Sequence, residues 1–264
     1  MTMLKYSCFI PKLIILASLL LVLSSQANAA AGDIDNSFDS LYTYMTTEED
    51  YALSVIQLPD NKILVGGAYN CFSGLHCPAI LRFHSNGYID TSFDGDGKLL
   101  LPISLGNSGI DYRIILDNEG MVVLAGRSSN NPIKSLLIRM DSNGVLDSSF
   151  GTNGKVESSY DSNNLKINAI RQQTDGKYLV AGFSQSGNLT DFVVMRYNNN
   201  GTLDTTFSSD GILAYDFGST IEEAKSIGQL TDGRIYVSGN TCIDVNLNCN
   251  KFNIATSLIT KDGN

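Results

Sequence analysis

The 264-residue chain contains no tryptophan, two histidines and five prolines, and its acidic residues outnumber its basic ones by 27 to 18. Each shortage excludes something. Without tryptophan the widest aromatic platform for a sugar ring is missing. The two histidines, His76 and His84, are wrongly spaced for a His-x-x-x-His metal pair, and no Ser-His-Asp arrangement with a usable histidine, G-x-S-x-G elbow or phosphate-cradling glycine loop is present. The scarcity of lysine and arginine argues against nucleic acid and anionic membrane surfaces as partners, since both require clustered positive charge. The longest apolar run, Leu13–Leu23, is about half of the roughly 20 residues needed to span a bilayer as a helix.

That run follows Lys5 and Lys12 and precedes Ala27-Asn28-Ala29. The three-part layout predicts a secretory signal peptide over 1–29, cut after Ala29. The mature chain, 30–264, would carry 16 basic against 27 acidic residues, a net charge of −11. Its four cysteines fall as two local pairs, Cys71/Cys77 and Cys242/Cys249, which on an exported chain read as disulfides. A zinc site using Cys71, Cys77 and His76 is the alternative. The expected setting is periplasmic or extracellular, with no membrane association after signal cleavage.

What is abundant is repetition. The stretches "GDIDNSF" (32–38), "SNGYIDTSF" (85–93), "SNGVLDSSF" (142–150) and "NNNGTLDTTF" (198–207) share one pattern. Their glycines are Gly32, Gly87, Gly144 and Gly201, their aspartates Asp35, Asp90, Asp147 and Asp204, and their phenylalanines Phe38, Phe93, Phe150 and Phe207. The phenylalanines are 55, 57 and 57 residues apart. A second motif, "QTDGKYLVAG" in the third copy, ends at Gly67, Gly126, Gly182 and Gly239, spaced 59, 56 and 57. Two landmarks therefore share a period of about 57, dividing the chain into repeats at about 32–86, 87–143, 144–200 and 201–262.

Within a period the pattern is β throughout. In the third copy, 154–161, 167–174, 177–184 and 192–199 are short runs rich in Val, Ile, Tyr and Phe, separated by polar stretches. Asp175-Gly176 and Asp232-Gly233 predict type I′ hairpins, and the cysteine pairs fall in loops between the third and fourth runs. Asn-Gly at 86–87, 143–144 and 200–201 is expected to turn the chain out of the fourth strand. The expected architecture is all-β, a propeller of four-stranded antiparallel blades. "KDGN" (261–264) begins a fifth opening motif, so a truncated fifth repeat and an incomplete propeller are expected, with possible self-association through unclosed blades.

These motifs resemble the Delta-60 repeat, a bacterial β-propeller repeat. The match runs through Gly144-Val145-Leu146-Asp147, Phe150-Gly151, Gly154-Lys155, Asp175-Gly176-Lys177, Gly182 and Arg196-Tyr197-Asn198 to Gly201. The first copy departs with Asp60-Asn61, and Leu258 stands where the others have Arg82, Arg139 and Arg196. The resemblance implies a fold and an exported setting, and no reaction.

The repeated aspartates read as turn braces, open to pairing with the repeated arginines. A calcium role is the functional alternative, with Asp94, Asp96, Asp141 and Asp147 as candidates because hard cations need closely spaced oxygens. Glu222-Glu223 and Glu48-Glu49-Asp50 are carboxylate pairs of the kind used in glycoside cleavage, and read more simply as solvated charges. No catalytic residue and no cofactor are assigned. The functional expectation is a non-catalytic exported propeller presenting loops to a protein or glycan. The alternative is part of a propeller hydrolase or lyase whose catalytic residues lie outside this chain.

Overall fold

The computed structural model describes residues 50–72, 75–103, 112–129, 131–161, 163–242, 249 and 251–263. Gly32, Asp35, Phe38, Glu48, Glu49 and the signal-peptide region lie outside the described residues. Among the described residues there is no helix and hence none able to cross a membrane. The described residues form fifteen strands in four antiparallel blades, all lying within one compact unit of the chain.

The first blade is β1 (Asp50–Gln57), β2 (Ile63–Phe72), β3 (Leu75–Phe83) and β4 (Lys98–Leu100). The second is β5 (Arg113–Leu116), β6 (Val122–Arg127), β7 (Ser135–Met140) and β8 (Lys155–Ser158). The third is β9 (Asn164–Gln172), β10 (Tyr178–Ser186), β11 (Leu189–Tyr197) and β12 (Ile212–Tyr215). The fourth comprises β13 (Ile221–Gln229), β14 (Ile235–Cys242) and β15 (Asn253–Ile259). A single parallel pairing, Thr190 with Ile221, joins the third and fourth blades.

The middle strands carry near-continuous apolar runs because they are covered on both faces. Every residue of β6 and β7 is buried. The covering comes from stacking of successive sheets, and each of three apolar clusters lies between two neighbouring blades. One joins Leu64, Ala68 and Ile80 to Ile114, Leu124 and Leu136; the next joins Val123 and Leu137 to Tyr178, Val180 and Val193. The third joins Leu179, Phe192 and Val194 to Ala224, Ile235 and Val237. Phe93, Phe150 and Phe207 each sit in one of them, at 1 % exposure or less. Burying one phenylalanine contributes roughly 1.5–3 kcal/mol.

The blades are displaced from the sequence period. The segment 154–161, read as the first strand of the third repeat, pairs through β8 with β7, Ser135 facing Ser158. It therefore closes the second blade. The opening motif consequently leads out of a blade's third strand rather than its fourth, and the cysteine-bearing loops join second and third strands. Periodicity shows the length of a repeat but not the phase at which hydrogen bonding cuts it.

The Asp-Gly turns also differ from expectation. Only Gly176 and Gly233 have positive φ, +86° and +91°, whereas type I′ would require it of the aspartates too. Gln173 N–H donates to the Lys177 carbonyl and Gly176 N–H to the Gln173 carbonyl, closing a longer turn. The Asp175 carboxylate accepts from Lys177 N–H at 3.2 Å. In the first copy Asn61 takes the left-handed position at φ +66°, which asparagine tolerates better than most residues.

Candidate binding face

The blades have two rims of different character. At one, the opening motif builds the same clasp three times. Arg82 Nε donates to Asp90 Oδ2 (2.7 Å), and Arg196 Nε to Asp204 Oδ2 (2.6 Å). Arg139 is shared among Asp147 (3.2 Å), Asp117 (3.5 Å) and Glu119. Each guanidinium lies over the motif phenylalanine, at 4.8 Å from Phe93, 5.9 Å from Phe150 and 4.8 Å from Phe207.

Each arginine also reaches into the next copy of the motif, donating to the carbonyl two residues before its glycine: Ser142, Asn199 and Lys261. The glycines are needed for room as well as for turning. Gly144 has φ +86°, and a Cβ there would stand 2.7 Å from Leu99 and 3.3 Å from Phe93 of the preceding copy. The recurring motif is thus a joint between consecutive blades.

Burial alone would raise the carboxyl groups of Asp90 and Asp204. Hydrogen bonds from Ser92 and Lys62 to the first, and from Lys177 and Thr206 to the second, together with the arginines, hold both well below the usual carboxylate range. A depressed folded-state value contributes stability that is present above the unfolded value, near pH 4, and is lost as pH falls through the folded value. Thermal midpoints measured from pH 8 to pH 2 should therefore be insensitive to these two groups above about pH 5 and fall below about pH 4. Asp204→Asn should flatten part of that acid limb.

Among the described residues the calcium candidates read from the sequence fall in no group of three metal-ligating side chains. Asp96 accepts from Lys98 N–H (2.9 Å), and Asp141 from the N–H groups of Asn143 (2.8 Å) and Val145 (2.9 Å). Asp147 accepts from Ser149 and pairs with Arg139. Asp94 sits at φ +49° in an exposed turn. The carboxylates of Asp96, Asp141 and Asp147 brace turns. Glu222 and Glu223 are divided by strand alternation, Glu222 fully buried and Glu223 paired with Lys225, so they do not face one another as an acid and nucleophile would.

The opposite rim carries the hairpins between second and third strands, and here the blades diverge. Both disulfides are formed, Cys71–Cys77 and Cys242–Cys249, with Cα atoms 5.7 and 5.9 Å apart. Neither of the other two hairpins contains a cysteine. Closing loops of this size restrains the open ensemble by about 2 kcal/mol each. Reductant should therefore lower the urea midpoint of the intact protein, and Cys71→Ser/Cys77→Ser should reproduce part of that loss.

Between the third and fourth blades this rim holds a cleft of about 460 Å³, lined by Phe183, Gln185, Asn188, Thr190, Ile221 and Glu223. Gln185 and Asn188 come from the β10–β11 hairpin. Lys166 Nζ lies 5.8 Å from the Phe183 ring. Of its lining residues the sequence singled out only Glu223, in the pair Glu222-Glu223, because they come from two blades and none belongs to the repeated landmarks.

Residues 58–93, 120–150 and 173–207 match a family model described as the DUF5122 β-propeller, a domain of unknown function. These segments are β-propeller repeats. Each ends on a clasp phenylalanine, so the unit of the propeller repeat is the one that the opening motif measures. Among solved structures, a protein of unknown function from Dyadobacter fermentans is 13% identical (TM-score 0.45; 84% of this chain, 68% of that one). A GH43_1 enzyme from Xanthomonas citri is 10% identical (TM-score 0.44; 80% and 69%), and an α-L-arabinofuranosidase from Fusarium graminearum 9% identical (0.45; 80% and 62%). Likeness at this level carries no chemistry to this propeller. No curated protein matches the sequence.

Proposed function

We propose that this chain is an exported, non-catalytic β-propeller protein whose repeats are of the Delta-60 kind. It binds a protein or glycan through the hairpin rim, centred on the cleft between the third and fourth blades. The observation that carries this reading is the asymmetry between rims. One rim repeats a single clasp in three copies, as a structural joint would. The other varies from blade to blade, bears both disulfides and holds the cleft. Variable, stapled loops on a repeated scaffold are where recognition resides. The cleft offers one aromatic face, the two amides of Gln185 and Asn188, and the Glu223 carboxylate, a set suited to hydroxyl-rich or amide-rich ligands. Two disulfides and an apolar amino-terminal stretch support export.

The test is a glycan array and a panel of peptides probed with the purified chain, followed by titration of any ligand found. Gln185→Ala and Asn188→Ala should weaken binding by roughly tenfold each with unchanged melting, by loss of a hydrogen bond of about 1.4 kcal/mol. Asn86→Ala on the clasp rim should leave affinity unaltered. Binding indifferent to the cleft variants, or hydrolysis of the bound sugar, would overturn the proposal.

A further inference from the structure

At the hairpin rim the chain crosses from β12 to β13 over the end of β11, and three carboxylates meet beneath the crossing. Oxygens of Asp191, Asp216 and Glu222 all lie within 4.8 Å of one another. Glu222 is completely buried, accepting from Phe217 N–H (2.8 and 2.9 Å), Ser219 N–H (2.9 Å) and Ser219 Oγ (2.9 Å). Its own N–H donates to Thr190 Oγ1 (2.8 Å). Asp216 accepts from Gly218 N–H. Among the described residues no lysine or arginine pairs with any of the three.

Three like charges at this separation repel, and among the described residues no cation pairs with them. Burial raises the Asp191 carboxyl, and the charges of Asp216 and then Glu222 raise it further. A second observation points to a missing partner. Ser184 stands directly opposite Asp191 in the β10–β11 ladder, so the two side chains leave the same face as neighbours. Ser184 is 1 % exposed, and its hydroxyl has no hydrogen-bond partner among the described residues. An unmatched buried hydroxyl beside uncompensated carboxylates is the arrangement a bound cation would satisfy.

We propose that Asp191, Asp216 and Glu222, with the Ser184 hydroxyl, form a calcium site that pins the start of the fourth blade to the third. The donors are all oxygen, with no histidine or thiolate to favour zinc or copper. Calcium accepts an irregular set of protein carboxylate and hydroxyl oxygens, whereas magnesium demands a near-ideal octahedron and keeps most of its waters. The ion would bridge Asp191 and Asp216 of one blade to Glu222 of the next, adjoining Thr190 and Ile221 of the cleft. Binding would then order the rim on which recognition takes place.

Calorimetric titration of the full chain with calcium chloride, and melting in calcium or chelator, test the site. Calcium should raise the midpoint of the wild-type protein by several degrees, as ligation of the folded state alone requires. Asp216→Asn, at the exposed edge, should retain the fold and bind calcium at least about tenfold more weakly, having lost one of three charges. Asp191→Asn in chelator should melt at or above the wild-type midpoint, since it relieves repulsion, and should not respond to calcium. Asp141→Asn should respond as the wild type does. An absent calcium response, a response undiminished in Asp191→Asn and Asp216→Asn, or an equal response to magnesium would each overturn the assignment.

Discussion

Gly182→Ala should be among the most damaging single-methyl changes available in this protein, costing at least about 3 kcal/mol. Gly182 closes the second motif, and its φ is not left-handed, so backbone conformation is not the reason. The reason is across the ladder. Between Ala181 and Gly182 the pairing with β9 slips: Ala181 faces Ala169, Gly182 faces Ile167, and Asn168 is left over as a bulge. A Cβ on Gly182 would fall far inside contact distance of the Lys166 carbonyl and 2.9 Å from the Ile167 Cα, and both are backbone atoms that no rotamer change can move. The bulge in turn sends the Asn168 amide to the Ala224 carbonyl of the next blade, at 2.7 Å. A flattened bulge would break that contact as well. Gly239 repeats the arrangement against Glu223, opposite the slip between Ala224 and Ser226. Gly187→Ala is the control: its φ is +61° but a Cβ there meets nothing within 4 Å, so its cost should stay near 1 kcal/mol. Urea denaturation separates the two, and equal midpoints would sink the bulge explanation.

Arg196→Ala should cost about 3–5 kcal/mol, because it strands Asp204 at 3 % exposure with Lys177 alone as its cationic partner. The same change removes stacking on Phe207 and the hydrogen bond to the Lys261 carbonyl, so it loosens a blade and a joint together. Arg196→Lys should recover only part of the loss. An ammonium cannot donate at once to the carboxylate, the Thr206 hydroxyl (3.2 Å) and the next motif's carbonyl in one planar fork. Lys177→Ala, at 28 % side-chain exposure, should cost under about 1 kcal/mol. The double variant Arg196→Ala/Asp204→Ala should be less damaged than the sum of its parts, since the second change removes the orphaned charge. Additive losses in that cycle would show that the clasp is not a coupled unit.

The clasp was half legible. The recurrence of Gly, Asp and Phe at one spacing marked a structural unit, and the arginine at a constant offset suggested a partner for the aspartate. What the spacing did not contain was the arginine's second contact, to a carbonyl some 60 residues on, or the seating of each glycine against the preceding copy's phenylalanine. Both are relations between blades, set by how one sheet lies on the next. The aspartates offered as calcium candidates show the same limit: Asp96, Asp141 and Asp147 each accept from an N–H two residues further on, a local bond that the turn-brace reading of the sequence already contained, whereas which carboxylates meet across blades was not written there.

The amino-acid sequence by itself determined the all-β class, the repeat length, the two disulfide pairs and the propeller. Those properties rest on local chemistry: alternating apolar residues, turn-forming glycine and asparagine, and cysteines a few residues apart. The tertiary structure alone decided where a blade begins, which glycines face a bulge, and that Asp191, Asp216 and Glu222 converge beside Ser184. The physical reason is common to all three. Each depends on which strand hydrogen-bonds to which and which face lies against its neighbour, and those pairings join residues far apart in the chain.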